Sequence, residues 1–225
     1  MMPILAELQT LLGGAEPTLP ALWLMALARH LGWAVVLAWL AMRLWPASKS
    51  GPHYWRIGCA GLLALAALLP GSVSLAYGLG LSFQIPSLLT VALCLQQLLR
   101  RRAPVPVSSD PRDKLIAAML GIALGWWLLL DTFALMPGST YAWGYGTTSL
   151  VVWVAIAALL ALAQRTISGG ILLLLLALVF ALTRLPSGNA WDALLDPLLW
   201  FWLHGYVARA AWRHWFPAAR SPSLP

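Results

Sequence analysis

A short basic segment, residues 100–114, lies between long apolar stretches and sets the orientation of the whole chain. It opens with Arg100-Arg101-Arg102 and closes with Lys114, so it holds five of the fourteen Lys and Arg residues. Clusters of Lys and Arg beside hydrophobic spans normally remain on the cytoplasmic side of a membrane. Placing this loop inside therefore fixes the side on which every other loop lies.

The composition favours an integral membrane protein over a soluble one. Of 225 residues, 61% are hydrophobic and only 9% are charged, whereas a soluble domain carries about 25% charged residues. Several apolar runs of about 20 residues are each long enough to cross the hydrocarbon core. Arg outnumbers Lys twelve to two, which is typical of a GC-rich bacterial genome. The predicted location is the bacterial inner membrane, with the lipid bilayer as a partner.

The net charge of +7 does not indicate a nucleic-acid partner. The positive residues lie at the ends of apolar runs rather than along one solvated face, so they set topology instead of binding a polyanion. No nucleic acid is therefore expected among the partners.

The apolar runs predict an all-α transmembrane bundle of seven spans, which forms a single domain over residues 1–225. The predicted spans are residues 19–45, 55–69, 85–99, 115–136, 147–163, 171–183 and 190–212. No soluble catalytic domain fits between them, so any chemistry must occur within the bundle or at its faces.

An odd number of spans puts the two termini on opposite sides of the membrane. With residues 100–114 inside, residues 1–18 form a short extracytoplasmic segment and residues 213–225 form a cytoplasmic tail. Twelve of the fourteen Lys and Arg residues then lie inside, and only Arg29 and Arg184 lie outside. This asymmetry follows the rule that positive residues stay in the cytoplasm.

Residues 72–84 predict an irregular or half-helical start to the third span. A continuous helix over residues 72–99 would be about 42 Å long, against a hydrocarbon core of about 30 Å. The first half also contains two glycines and the polar Gln84. Irregular backbone at membrane depth persists only where protein or water satisfies its polar groups. The break therefore indicates a cavity.

Four charged residues fall in the outer half of the predicted bundle: Arg29, Asp131, Asp192 and Asp196. A charge at the centre of a span costs about 2.5–3.5 kcal/mol on insertion scales, so such residues face protein or water and usually have partners. We expect Arg29 and Asp196 to pair, with Asp131 as the second choice for the arginine. The pair would be a structural clamp or a gate.

Asp192 and Asp196 are four residues apart, so they would share one face of a continuous helix. Pro197 lacks a backbone N–H, which would free the carbonyl near position 193. Two carboxylates and a free carbonyl could hold a cation or a proton. The alternative is that Asp192 caps the helix start and that Asp196 pairs with an arginine.

The candidate substrate-binding residues are Arg29, His30, Gln84, Asp131, Arg184, Asp192 and Asp196. A histidine can titrate near neutral pH, although a lone membrane histidine more often serves packing. His204 shares no clear face with the two aspartates. No cofactor or metal is predicted, because Cys59 and Cys94 stand alone within apolar runs and no metal spacing or nucleotide motif occurs.

Glycine and aromatic patterns have packing explanations. Gly121-x-x-x-Gly125 lets another helix approach closely. Many of the fourteen Trp residues fall near predicted interfaces and form an aromatic belt. Tyr141, Trp143 and Tyr145 could belong to this belt or could stack on a sugar or lipid head group.

Two functional hypotheses follow, with a third in reserve. The first is a non-enzymatic transport or accessory subunit of a larger membrane complex, with a polar site in the outer half. The second is an intramembrane enzyme acting on a lipid-linked or cell-envelope substrate, with Asp131, Asp192 and Asp196 as acid and base. The third is a purely structural assembly factor.

Overall fold

The chain folds entirely into helices wherever its structure is described. The described residues of the computed structural model are 19–44, 53–100, 110–136, 138–162 and 167–216. No strand occurs within these ranges, which confirms the predicted all-α class. The N-terminal segment, most of the basic loop and the end of the C-terminal tail, for which predictions were also made, lie outside them.

Ten α-helices and one 3-10 turn make up the described part of the chain. In order they are α1 (Leu22–Leu44), α2 (His53–Leu68), the 3-10 turn (Gly71–Val73), α3 (Leu75–Phe83), α4 (Leu88–Arg100), α5 (Pro111–Thr132), α6 (Thr140–Trp143), α7 (Thr147–Leu162), α8 (Ile167–Thr183), α9 (Ala190–Leu194) and α10 (Pro197–Trp215). Helices α1 and α5 are each long and apolar enough to cross a membrane. Helices α2, α4, α7 and α8 are shorter apolar helices.

Helices α5 and α8 each begin four residues before the predicted start of the corresponding span. Helix α5 begins at Pro111, inside the predicted basic loop, since Asp110 caps its first turn by accepting from the backbone N–H of Arg112 at 2.9 Å. Proline suits this position because it has no N–H to satisfy. Helix α8 begins at Ile167 and therefore includes the glycines of the preceding link.

The predicted break between a half-helix at residues 72–84 and the helix that follows it is confirmed, and a second break is present that the sequence did not predict. Helix α3 ends at Phe83, Gln84 follows with a positive φ of 62°, and α4 begins at Leu88. The run predicted as the seventh span is also broken, because α9 ends at Leu194 and α10 begins only at Pro197. The chain therefore contains two interrupted helical runs in its described part.

The helices pack in three main contacts. Helix α1 packs against α2, α3 and α4 around the buried Trp33, and α7 packs against α8 around the buried Phe180. Helices α5 and α10 approach closely at two glycines. A methyl group built on Gly125 would lie 2.3 Å from the Trp200 ring, and one on Gly121 would lie 2.7 Å from Leu203. The close approach predicted for these glycines is confirmed.

Candidate functional site

The two helix breaks meet at Asp196. One carboxylate oxygen accepts from the backbone N–H of Leu199 at 2.7 Å and so caps α10. The other oxygen accepts from the backbone N–H of Ser87 at 2.6 Å, at the start of α4. The N-termini of two helices, each with a partial positive charge, thus face one buried carboxylate. We call Ser87, Thr90 and Asp196 the break junction.

The sequence around Ser87 explains why α4 starts there. The Ser87 hydroxyl accepts from the backbone N–H of Thr90 at 3.0 Å and donates to the Thr90 side chain at 2.8 Å. A serine in this position satisfies an N–H that the first turn of a helix leaves without a partner. Ser87, Thr90 and Asp196 are all buried, so every bond of the junction forms away from bulk solvent.

Two predictions about Asp196 are wrong, each for its own reason. The ion pair with Arg29 does not form, because both Asp196 oxygens accept from backbone N–H groups. Asp192 and Asp196 do not share a helix face either, because the break at Leu195 separates α9 from α10. The carbonyl that Pro197 was expected to free is therefore not part of a continuous helix.

Asp192 belongs to a different group of polar residues, at the loops before α7 and α9. Its carboxylate accepts from the Tyr141 hydroxyl at 2.9 and 3.1 Å and from the Ser187 hydroxyl. Asn189, rather than Asp192, caps α9 by accepting from the backbone N–H of Trp191 at 2.9 Å. We call Asp131, Tyr141, Ser187, Asn189 and Asp192 the loop cluster.

Asn189 joins the two loops of the cluster through a close backbone contact. Its side-chain amide donates to the carbonyl of Tyr141 at 3.0 Å, and the backbone N–H of Ala190 donates to the carbonyl of Gly144 at 2.9 Å. A methyl group on Gly144 would lie 1.8 Å from the Asn189 side-chain oxygen. Only glycine allows this approach, so the sequence of the α6–α7 loop fixes the position of α9.

Asp131 closes the cluster at the end of α5. Its buried carboxylate accepts from the backbone N–H of Tyr141 at 2.6 Å. It therefore holds the start of the α6 loop and does not pair with Arg29, for which it was the second choice. All three candidate carboxylates thus accept hydrogen bonds that join separate elements.

The environment of the loop cluster changes the proton affinity of two of its members. Burial raises the pKa of Asp192, and the hydrogen bonds from Ser187 and Tyr141 partly oppose that rise. Burial also raises the pKa of the Tyr141 hydroxyl, and the neighbouring Asp192 carboxylate raises it further. The tyrosine therefore remains a hydrogen-bond donor to the carboxylate at neutral pH.

Arg29 lies apart from all three carboxylates, against α3. Its guanidinium carbon is 5.7 Å from the centre of the Tyr77 ring. Its side-chain stem crosses α3 at Gly80, where an added methyl group would lie 2.8 Å from the Arg29 Cδ. The buried Nε of Arg29 has no hydrogen-bond partner.

The other candidate residues have structural contacts. His30 Nδ1 lies 2.8 Å from the carbonyl of Ala67, which can only accept, so this nitrogen carries the proton. Gln84 takes part through its backbone, since its carbonyl accepts from the Trp33 indole at 3.0 Å. Arg184 lies over the Phe180 ring, 5.5 Å from its centre.

His204 and the aromatic loop were also singled out from the sequence. His204 Nδ1 lies 2.8 Å from the carbonyl of Trp200 on its own helix, which fits the packing role. Tyr141 is committed to Asp192, and its ring contacts the Tyr145 ring edge to face at 6.1 Å. Trp143 is exposed, which both the belt and the stacking interpretations require.

Sequence reasoning missed Ser87, Ser187, Asn189 and the glycines at 80 and 144 as determinants of these arrangements. A signal existed for the break junction, because Asp196-Pro197 repeats the Asp110-Pro111 start of α5. An acid followed by proline is a frequent helix start. The two close glycine contacts have no such signal, since they depend on which loop or side chain lies opposite.

Comparison of the chain with protein families, with characterised proteins and with solved structures finds no match in any of the three.

Proposed function

We propose that this chain is a seven-span protein of a bacterial inner membrane, with its amino end outside and its carboxyl end inside. The spans would be α1, α2, the interrupted pair α3–α4, α5, α7, α8 and α10. The interrupted pair contains 9 and 13 residues, so by helix rise its two parts together extend about 33 Å, close to the hydrocarbon thickness.

The outer surface of the helices supports a membrane location. Large apolar side chains point away from the protein along several helices, including Leu120 (66% exposed), Leu159 (65%) and Leu182 (77%). Large exposed apolar surfaces on a folded protein mark membrane or protein interaction sites. Lipid or other membrane subunits would cover these surfaces.

Within the membrane, we assign the chain a non-enzymatic role as an accessory or assembly subunit of a larger complex. This assignment rests on the hydrogen bonds of the three buried or partly buried aspartates. Asp131, Asp192 and Asp196 each accept hydrogen bonds that tie two segments together, whereas a transport pathway or an active site needs polar groups that remain available to a substrate. A transport role is the second form of the same proposal, with Arg29 as its remaining polar candidate.

The alternative of an intramembrane enzyme loses its main support. It requires the three carboxylates to converge on an open cavity, yet Asp196 belongs to the break junction and the other two belong to the loop cluster. The cavity of about 120 Å³ beside the junction is lined mainly by apolar side chains from α1, α4 and α10 and contains none of the three acids.

Blue-native electrophoresis of membranes from the source organism tests the accessory role. We expect the chain to migrate with a complex well above its own 24.4 kDa, and we expect that complex to be depleted when the gene is deleted. Restoring the gene with Asp131→Asn or Asp192→Asn should restore the complex, because asparagine still accepts a hydrogen bond. Migration as a free monomer, or complexes unchanged by the deletion, would contradict the proposal.

A reporter that is active only outside the cytoplasm tests the orientation separately. Fused after residue 106 it should be inactive, and fused after residue 138 it should be active. The reverse pattern would invert the topology without bearing on the accessory role.

A further inference from the structure

Arg29 has the surroundings of an anion-binding group but has no anionic partner among the residues that the structure describes. Its buried Nε is unpartnered, and the structure shows no hydrogen bond from its guanidinium to any described residue. Burying part of an arginine this way is unfavourable unless another group satisfies it. By contrast, Asp131, Asp192 and Asp196 have hydrogen-bond donors at each carboxylate.

Two residues of α3 hold the Arg29 side chain in place. Gly80 leaves space for the arginine stem to cross the helix, and the guanidinium then lies over Tyr77. Stacking on an aromatic ring favours a cation and holds the planar group in one orientation. One turn further along α1, the Trp33 indole donates a hydrogen bond to the carbonyl of Gln84, directly after α3. This bond holds α1 and α3 together close to Arg29.

The contacts of the adjacent His30 show at which depth of the bundle Arg29 lies. His30 lies 2.8 Å from the carbonyl of Ala67, near the end of α2, and 3.3 Å from the hydroxyl of Ser74, which precedes α3. Arg29 therefore lies at the height of the turn between α2 and α3. Under the proposed topology this turn faces the outer side, and helical side chains lean toward the helix N-terminus, which for α1 is also the outer end.

We propose that Arg29, stacked on Tyr77 in the slot at Gly80, binds the phosphate group of an anionic lipid in the outer leaflet. Guanidinium groups bind phosphate through paired, charge-assisted hydrogen bonds, and their geometry matches two phosphate oxygens. The exposed apolar side chains of Leu81 and Val73 on the same segment offer contact to the acyl chains. The lipid source rests on the proposed membrane location, whereas phosphate recognition by Arg29 does not.

The test measures binding of phosphatidylglycerol to the full chain purified and delipidated in dodecyl maltoside, by native mass spectrometry. Arg29→Gln should weaken the phosphatidylglycerol affinity about tenfold, as expected for loss of a charge-assisted contact. Dioleoylglycerol, which has no phosphate, should bind wild type and variant alike. Unchanged phosphatidylglycerol affinity in Arg29→Gln would overturn the site.

A matched pair of glycine variants separates the slot from the charge. Gly80→Ala should displace the Arg29 stem and weaken binding about threefold without altering any charge. Gly78→Ala on the same helix, where an added methyl group meets nothing within 4 Å, should leave binding unchanged. Equal effects of the two variants would contradict a role for the slot.

Thermal unfolding with each ligand distinguishes the sources of phosphate. Phosphatidylglycerol should raise the Tm of the wild type and not that of Arg29→Gln, while inorganic phosphate at millimolar concentration should leave both unchanged. A rise with inorganic phosphate alone would overturn the lipid assignment and identify a site for a free anion. Because these measurements use the purified chain, their failure leaves the accessory role to be judged by the native complex.

Discussion

The break junction and the loop cluster both use aspartates in an apolar chain, but they satisfy them differently. At the junction, each carboxylate oxygen of Asp196 accepts from one backbone N–H group, at the start of α4 or of α10. In the loop cluster, Asp192 accepts from the side chains of Tyr141 and Ser187, and backbone contacts between loops supply the rest. Asp196 thus stabilises two helix starts, whereas Asp192 binds the side chains of two loops.

The two regions should therefore be sensitive to different substitutions. No substitution other than proline removes a backbone N–H group, so the junction depends on the single carboxylate that accepts from the N–H groups of Ser87 and Leu199. Buried donors left without an acceptor each cost about 1–3 kcal/mol. The loop cluster distributes its hydrogen bonds over several side chains, so loss of one leaves others in place, and its tightest requirement is the space at Gly144.

Removing the carboxylate at the junction should have the largest effect. Asp196→Ala leaves the N–H groups of Ser87 and Leu199 without acceptors and should destabilise the protein by about 4 kcal/mol. This corresponds to a fall in apparent Tm of about 8–16 °C for a chain of this size. Intrinsic tryptophan fluorescence during heating in dodecyl maltoside measures it.

Asp110→Ala is the matched control, because Asp110 also precedes a proline and caps a helix, but it does so at an exposed position with one backbone acceptor bond. Its loss should cost only about 1 kcal/mol. Asp196→Asn should fall between the two, since one side-chain oxygen remains to accept. Equal costs for Asp196→Ala and Asp110→Ala would show that the junction adds nothing beyond an ordinary cap.

Filling the space between the loops should have the next largest effect. In Gly144→Ala the new methyl group overlaps the Asn189 side chain and lies 2.6 Å from Trp191, although the backbone conformation, φ −59°, suits any residue. The overlap should cost about 2–3 kcal/mol through displacement of α9. The same heating experiment measures the loss.

Gly205→Ala serves as the control for this substitution, because its methyl group meets nothing within 4 Å and it lies within α10. Here alanine should be neutral or stabilising by up to about 1 kcal/mol, since it favours a helix. If Gly144→Ala were equally harmless, the loops would not be held as closely as the contacts with Asn189 require.

Sequence reasoning succeeds in this molecule where local pattern decides the outcome. The all-α class, the break before α4 and the close approach at Gly121 and Gly125 all follow from apolar runs and glycine spacing. It fails at the pairing of charges. Arg29 and Asp196 were matched by depth alone, whereas the Asp196 carboxylate satisfies the unpaired N–H groups of two helix starts.

Only part of the environment of Asp196, in the seventh predicted span, could be predicted from the sequence. Asp196-Pro197 is a recognisable helix start, so the break itself could be predicted from the sequence. The second acceptor bond, to Ser87, joins residues 109 positions apart. No local pattern specifies such a contact, because it depends on how α4 and α10 pack.

The smallest expected effect is a pH dependence that belongs to the loop cluster. Burial raises the pKa of Asp192 above its ordinary value near 3.8, so the folded protein holds this proton more tightly than the unfolded chain does. The resulting stability is fully present below about pH 3.8 and is lost as the pH rises through the raised pKa. The contribution of Asp192 to the apparent Tm should therefore decrease across this window.

Two variants make the pH dependence specific to Asp192. Asp192→Asn cannot ionise, so the difference in Tm between wild type and this variant should shift in favour of the variant as the pH rises from about 4 to about 7. Tyr141→Phe removes a hydrogen bond that lowers the pKa of Asp192, so it should move the window to higher pH. A difference between wild type and Asp192→Asn that stays constant with pH would place the proton linkage elsewhere. The contrast between the two regions would then rest on the packing at Gly144 alone.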